Sequence, residues 1–161
     1  MRTQDKSSLK AIRGRQSGQA IVEFALTVLL LMLLMFGLLE LSIFMYTYSV
    51  LANAAKEGVR YAIVHGASNG TPSGPSSGSA SSPPCTASST NVTNVVNQTR
   101  NFAGFTVLDK SNVNVFVCYL DGDNKLNSLV EVSVNYLYRP LFGFNWPSVT
   151  VNANSAGRIV F

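Results

Sequence analysis

The chain has 161 residues, 47% of them apolar and 12% charged, with a formal net charge of +4. Once a membrane segment is subtracted, that length leaves room for one modest soluble core. Arg2, Lys6, Lys10, Arg13 and Arg15 against Asp5 place +4 within residues 1–18 alone, while from residue 67 onward five basic residues face four acidic ones. The excess charge is therefore local, and nucleic acid is excluded as a partner for want of an electrostatic footprint.

The basic cluster flanks an apolar run, where it reads as a topology signal. From Phe24 to Leu39 the sequence FALTVLLLMLLMFGLL carries no charge, and beyond Glu40 the next charge is Lys56. Ala20–Val22 and Leu41–Phe44 extend the run to the length of about 20 residues that a bilayer-crossing helix needs. Basic residues before it and none after it until Lys56 predict a single-pass membrane protein. Its N-terminus lies in the cytoplasm and its C-terminus outside. Glu40, at the outer edge of the run, is expected at the water interface.

The helical pattern continues past the membrane. Leu41, Phe44, Met45, Tyr48, Ala52, Ala55, Val59 and Ala62 form an apolar stripe at spacings of three and four, opposite Asn53, Lys56, Glu57 and Arg60. Residues 19–66 are thus expected as one long helix, transmembrane over about 20–44 and an amphipathic stalk beyond. From Gln19 to His65 it spans roughly 70 Å at 1.5 Å per residue. Gly66 is the expected C-terminal cap.

The junction before the helix reads Arg15-Gln16-Ser17-Gly18, then Gln19-Ala20-Ile21-Val22-Glu23-Phe24. A protease must hold an extended backbone, and glycine permits that without a side chain to clash. Glu23, entering the apolar layer, costs about 2.5 to 3.5 kcal/mol unless it finds a partner. A free amine at Gln19, or that of a neighbouring subunit, would supply one. Ala52-Asn53-Ala54 offers a rival site for ordinary signal peptidase, but the leader it would define far exceeds the usual length of about 15 to 30 residues.

Residues 67–90 hold 19 Ser, Gly, Pro or Thr among 24. This composition predicts a flexible linker, since it buries too little to offset its ordering entropy. Residues 91–161 are expected to form an exported head domain. Val92, Val95, Val96, Thr99, Phe102 and Ala103 fit a short amphipathic helix ended by Gly104. Val113, Val115, Val117 and Tyr119 alternate with Asn112, Asn114, Phe116 and Cys118, and Val130, Val132, Val134 and Tyr136 alternate with Glu131, Ser133 and Asn135; both runs are period-two strands. Asp121-Gly122-Asp123-Asn124 reads as the hairpin turn between them rather than a calcium loop. A last strand from Ser148 to Asn154, resuming near Arg158, completes an antiparallel sheet. Phe142, Phe144 and Trp146 form an apolar loop suited either to core packing or to contact with a subunit or membrane lipid. In an exported head a Cys85–Cys118 disulfide is permitted, two free thiols being the alternative, and closing that loop would add about 3 to 4 kcal/mol.

The segment GQAIVEFALTVLLLMLLMFGLLELSIFMYTYSVLANAAKEGVRYA resembles the N-terminal module of TadE-like proteins, the minor pilins or pseudopilins of tight-adherence (Tad, or Flp) pilus systems. The shared order is a glycine, a glutamate five residues on, a Leu-rich helix, a second glutamate, and a closing pattern that here is Glu57, Gly58, Arg60, Tyr61 and Ala62. The resemblance implies a pilin-like α+β fold, cleavage after Gly18 by a prepilin peptidase, and a role for Glu23 in helix pairing during assembly. The partners it implies are the Tad inner-membrane assembly platform with its ATPase, and other pilin or pseudopilin subunits. The alternative is a signal-anchored binding or adhesion module outside any filament. No enzyme, metal site or cofactor is expected: the only histidine, His65, has no ligand-spaced neighbours, and nucleophile elbow, phosphate loop and CxxC are all missing from the sequence.

Overall fold

A computed structural model of the chain describes residues 6–75, 90–104, 109–141 and 147–161. They form an α+β fold of pilin-like type: a long helix α1 (Lys6–Val64), a second helix α2 (Thr90–Gly104), a 3-10 turn (Lys110–Asn112) and strands β1 (Val113–Tyr119), β2 (Leu129–Tyr138) and β3 (Val149–Arg158). The chain divides into two units, Met1–Ser42 and Ile43–Phe161.

In the first unit α1 starts at Lys6 rather than at Gln19, so Gly18 lies within continuous helix. Its apolar side chains from Ile21 to Leu39 are mostly exposed, and the helix from Gly18 to Val64 is long and apolar enough to cross a membrane. A helix satisfies its own backbone hydrogen bonds, which suits such a segment to lipid. Glu40, expected at the water interface, is 5% exposed.

In the second unit the three strands form an antiparallel meander in the order β1-β2-β3. The register aligns Val113 with Tyr136, Val115 with Val134, Val117 with Val132 and Tyr119 with Val130; across β2, Val134 meets Ala153 and Tyr136 meets Val151. Period-two alternation thus sends one valine-rich face inward, and Asn114, Asn135 and Asn152 share the other. The core joins this face to Val92, Val95 and Ala103 of α2 and to Leu51, Ala54, Ala55, Val59 and Ala62 of α1.

The stripe expected on α1 is corrected at its first half. Leu41, Met45 and Tyr48 are about half exposed, whereas Thr47, Val50, Leu51 and Ala54 are buried in their place. Small residues at 54, 55, 58 and 62 let the helix backbone approach the head closely. The strand readings also need adjustment: β3 is continuous from Val149 to Arg158, and the β1–β2 connection is a longer loop with left-handed turns at Gly122 (φ 81°) and Asn127 (φ 71°).

Candidate functional site

The leader junction is the first candidate site. Gln19 and Glu23 stand one helical turn apart on α1, the spacing at which side chains share a face. Both are exposed, and Glu23 has no ion pair among the described residues. Nothing lies within 4 Å of a Cβ built on Gly18. Glycine also weakens a helix by about 1 kcal/mol relative to alanine, which eases local unwinding there.

The second candidate is the closing pattern of α1. Glu57, Gly58, Arg60, Tyr61 and Ala62 occupy two turns, with Gly58 and Ala62 facing the core and Arg60 facing out. A Cβ on Gly58 would stand 2.3 Å from Thr99 Oγ1 and 3.1 Å from Val132 Cγ1. Gly58 is therefore the point at which α1 meets α2 and the sheet together. Thr99 is fully buried and donates its hydroxyl to Val95 O at 2.8 Å, so it is held in place.

The end of α1 is closed by segments distant in sequence. His65 Nδ1 donates to Tyr61 O at 2.8 Å, Val160 N to Ile63 O at 3.0 Å, Asn69 Nδ2 to Val64 O at 2.8 Å and Ser73 N to His65 O at 2.7 Å. Terminal carbonyls that a helix leaves open are thus satisfied. Gly66 is not a left-handed cap, since Gly122 is the glycine with positive φ among the described residues. Its lack of a side chain serves packing instead: a Cβ there would lie 1.7 Å from Phe161 O and 2.4 Å from Ile159 Cγ2.

Residues 67–75, expected as the start of a free linker, are docked on the head. Ala67 N donates to Asn124 O at 2.9 Å, and buried Ser73 shares hydrogen bonds with the Tyr119 hydroxyl while that hydroxyl donates to Ser73 O. Burial pushes the Tyr119 phenol above its usual pKa, with the Ser73 hydrogen bond opposing the shift. Asn124 is placed through its backbone; both polar atoms of its buried side chain lack partners. The rest of the linker, including Cys85, lies outside the described residues. Cys118 is buried on β1 and is not a free thiol.

The aspartates of the β1–β2 loop serve the loop itself. Asp121 accepts from Leu129 N at 2.8 Å, and Asp123 accepts from the Ser128 hydroxyl and pairs with Lys125 at 3.0 Å. The Ser128 hydrogen bond, then Lys125, holds the Asp123 carboxyl below the usual carboxylate range. No group of three His, Cys, Asp or Glu suited to a metal occurs among the described residues.

A groove of about 330 Å³ lies between α1 and the end of β2, lined by Ile43, Tyr46 and Thr47 on one side and Tyr136, Tyr138, Arg139 and Leu141 on the other. Phe44 braces it, meeting Tyr138 edge-on with ring centroids 5.4 Å apart. The apolar loop that follows, with Phe142, Phe144 and Trp146, lies outside the described residues.

Among known families, residues 18–60 match the model of TadE-like protein. Over this segment the chain is similar to TadE-like protein. The match begins at Gly18, runs through Glu23 and Glu40, and ends at Arg60, two residues beyond Gly58. No curated protein and no solved structure gives a significant match. The packing partners of Gly58 (Thr99 and Val132) and of Ser73 (Tyr119) lie far along the chain; a glycine inside a helical pattern is the local signal for the first, and the second has none.

Proposed function

We propose that this protein is a structural, non-catalytic subunit for assembly of Tad (Flp) pili, cut after Gly18 by a prepilin peptidase and packed against other subunits through its N-terminal helix. The observation that carries the reading is the TadE-like match starting at Gly18, which makes Glu23 the fifth residue of the product. Glu23 is exposed and has no ion pair among the described residues, and an amine freed at Gln19 would stand one turn from it. In an apolar layer each group would otherwise carry a solvation penalty, so pairing within or between subunits favours ordered insertion beside a neighbour. The head, with its closely packed stalk, then stays outside the cytoplasm, and the Tad inner-membrane platform is the partner that receives the helix. Gly18→Ala, or a larger residue there, should block processing and abolish piliation. Normal piliation from the unprocessed variant would overturn the reading. Loss of the gene leaving filaments intact but non-adherent would favour a signal-anchored binding module instead.

A further inference from the structure

The solvent side of the sheet departs from what strands ordinarily carry. Residues that alternate away from the valine face include Asn114 on β1, Asn135 on β2 and Asn152 on β3, and the register sets these three opposite one another in a single row across the sheet. Asparagine is depleted in strands, where β-branched and aromatic side chains fit the pleated surface better. Three in one row oppose local propensity, and such departures concentrate at functional sites. Asn114 and Asn152 are exposed and Asn135 is half-buried, and none of the three amides forms a hydrogen bond among the described residues.

The neighbouring row holds Phe116, Ser133 and Asn154 in the same register, with the Phe116 ring half-buried. The charged side chains of this face, Glu131 and Arg158, lie towards its other end and are engaged. Asn154 Nδ2 donates to Glu131 Oε1 at 3.2 Å, and Arg158 Nη1 to Asn127 O at 2.8 Å. The asparagine row is therefore neutral. Each amide offers two donors and an acceptor, the complement of paired hydroxyl groups. A phosphate or carboxylate ligand would need a cation here and a metal ion would need a carboxylate; the row supplies neither. Strands stand about 4.8 Å apart, so the row spans about 10 Å and its amides recur at a spacing close to that of successive rings in an extended β-linked sugar chain.

We propose that this face binds a neutral, β-linked polysaccharide laid across the strands, with successive sugars hydrogen-bonded to Asn114, Asn135 and Asn152 and the C–H face of one sugar on the Phe116 ring. The sheet behind the row is fixed by the core, so the amides are positioned before the ligand arrives. Binding of this kind goes beyond the assembly role and does not rest on it.

The test is isothermal titration calorimetry on the full-length chain in phosphatidylcholine nanodiscs, free of sugar-headed detergent, with cellohexaose and N-acetylchitohexaose as probes. Maltohexaose, whose α-linked chain curves, and anionic oligogalacturonate are the controls. At least one β-linked probe should bind, and neither control should. Asn135→Val removes the central amide while supplying a residue that strands favour, so its thermal unfolding should match or exceed the parent's. Its affinity should fall about tenfold, the weight of one or two lost hydrogen bonds. Phe116→Leu should weaken binding while keeping an apolar side chain, and Asn53→Ala, at an exposed position of α1, should leave it unchanged. Absence of binding by both β-linked probes, equal binding of either control, or undiminished affinity in Asn135→Val would overturn the site. Self-association of the chain that Asn135→Val abolishes would overturn it in favour of a contact between copies. Failure of cleavage after Gly18 would leave these titrations untouched, so the two readings fail separately.

Discussion

Gly58→Ala is the sharpest perturbation of the contact that joins stalk to head. The added methyl would stand 2.3 Å from Thr99 Oγ1, well inside van der Waals distance, and 3.1 Å from Val132 Cγ1. Thr99 cannot yield cheaply, because it is buried, β-branched and hydrogen-bonded to Val95 O. Overpacking of this kind costs about 1 to 3 kcal/mol, while alanine's better helix propensity returns about 1. The net expectation is a loss of about 0 to 2 kcal/mol relative to the parent chain, and of about 1 to 3 relative to a glycine-to-alanine change without overpacking, read as a fall in Tm of about 4 °C per kcal/mol for a domain of this size. Thermal unfolding of the full chain in detergent measures it, with Gly37→Ala as the control, since nothing lies within 4 Å of a Cβ at Gly37. Thr99→Ala removes the obstructing oxygen, so the double variant should lose about 1 kcal/mol less than the two single losses combined. Equal stability of Gly58→Ala and Gly37→Ala, or simple additivity with Thr99→Ala, would refute the close contact.

Gly66→Ala should push Phe161 and Ile159 from the end of α1, seen as faster hydrogen exchange at Val160, whose amide bonds Ile63 O. In acid, Asp109 and Asp123, both held below the usual carboxylate range by hydrogen bonds from Ser111 and Ser128, contribute stability that is present above about pH 4 and is lost as pH falls through their lowered values. Lower protection factors in residues 109–112 and 121–128 at pH 3 than at pH 6, after correction for the intrinsic pH dependence of exchange, check this. The Tyr119 phenol, raised by burial, acts in the opposite sense: its stabilisation is complete below about pH 10 and is lost as pH rises through the folded value, to be followed by exchange at Ser73. The Cys85–Cys118 pairing is expected to leave no thiol reactive with maleimide in the denatured, unreduced protein; two labelled thiols would exclude it.

Much of the head was legible because its signals are periodic. Val92, Val95, Thr99 and Ala103 fall on one helical face, and the valines of β1 and β2 alternate, so burial follows from spacing alone. The stalk shows where spacing stops being enough. Leu41, Met45 and Tyr48 satisfy the same three-and-four pattern as Leu51 and Ala55, but a helix with apolar residues on adjoining faces does not declare which face meets protein. Gly58 was visible as part of a pattern, while its reason resides in Thr99 and Val132, far along the chain. Ser73 was hidden by its neighbours: composition describes the average of residues 67–90, whereas docking depends on one serine reaching His65 and Tyr119.

The mature N-terminus distinguishes a processed prepilin-like subunit from a signal-anchored or secreted protein. Mass spectrometry of the N-terminal peptide of the protein recovered from its native cell envelope measures this directly. A peptide beginning at Gln19, with Glu23 in fifth place, is the predicted result. A mature N-terminus at Ala55, or a chain still beginning at Met1, would contradict it.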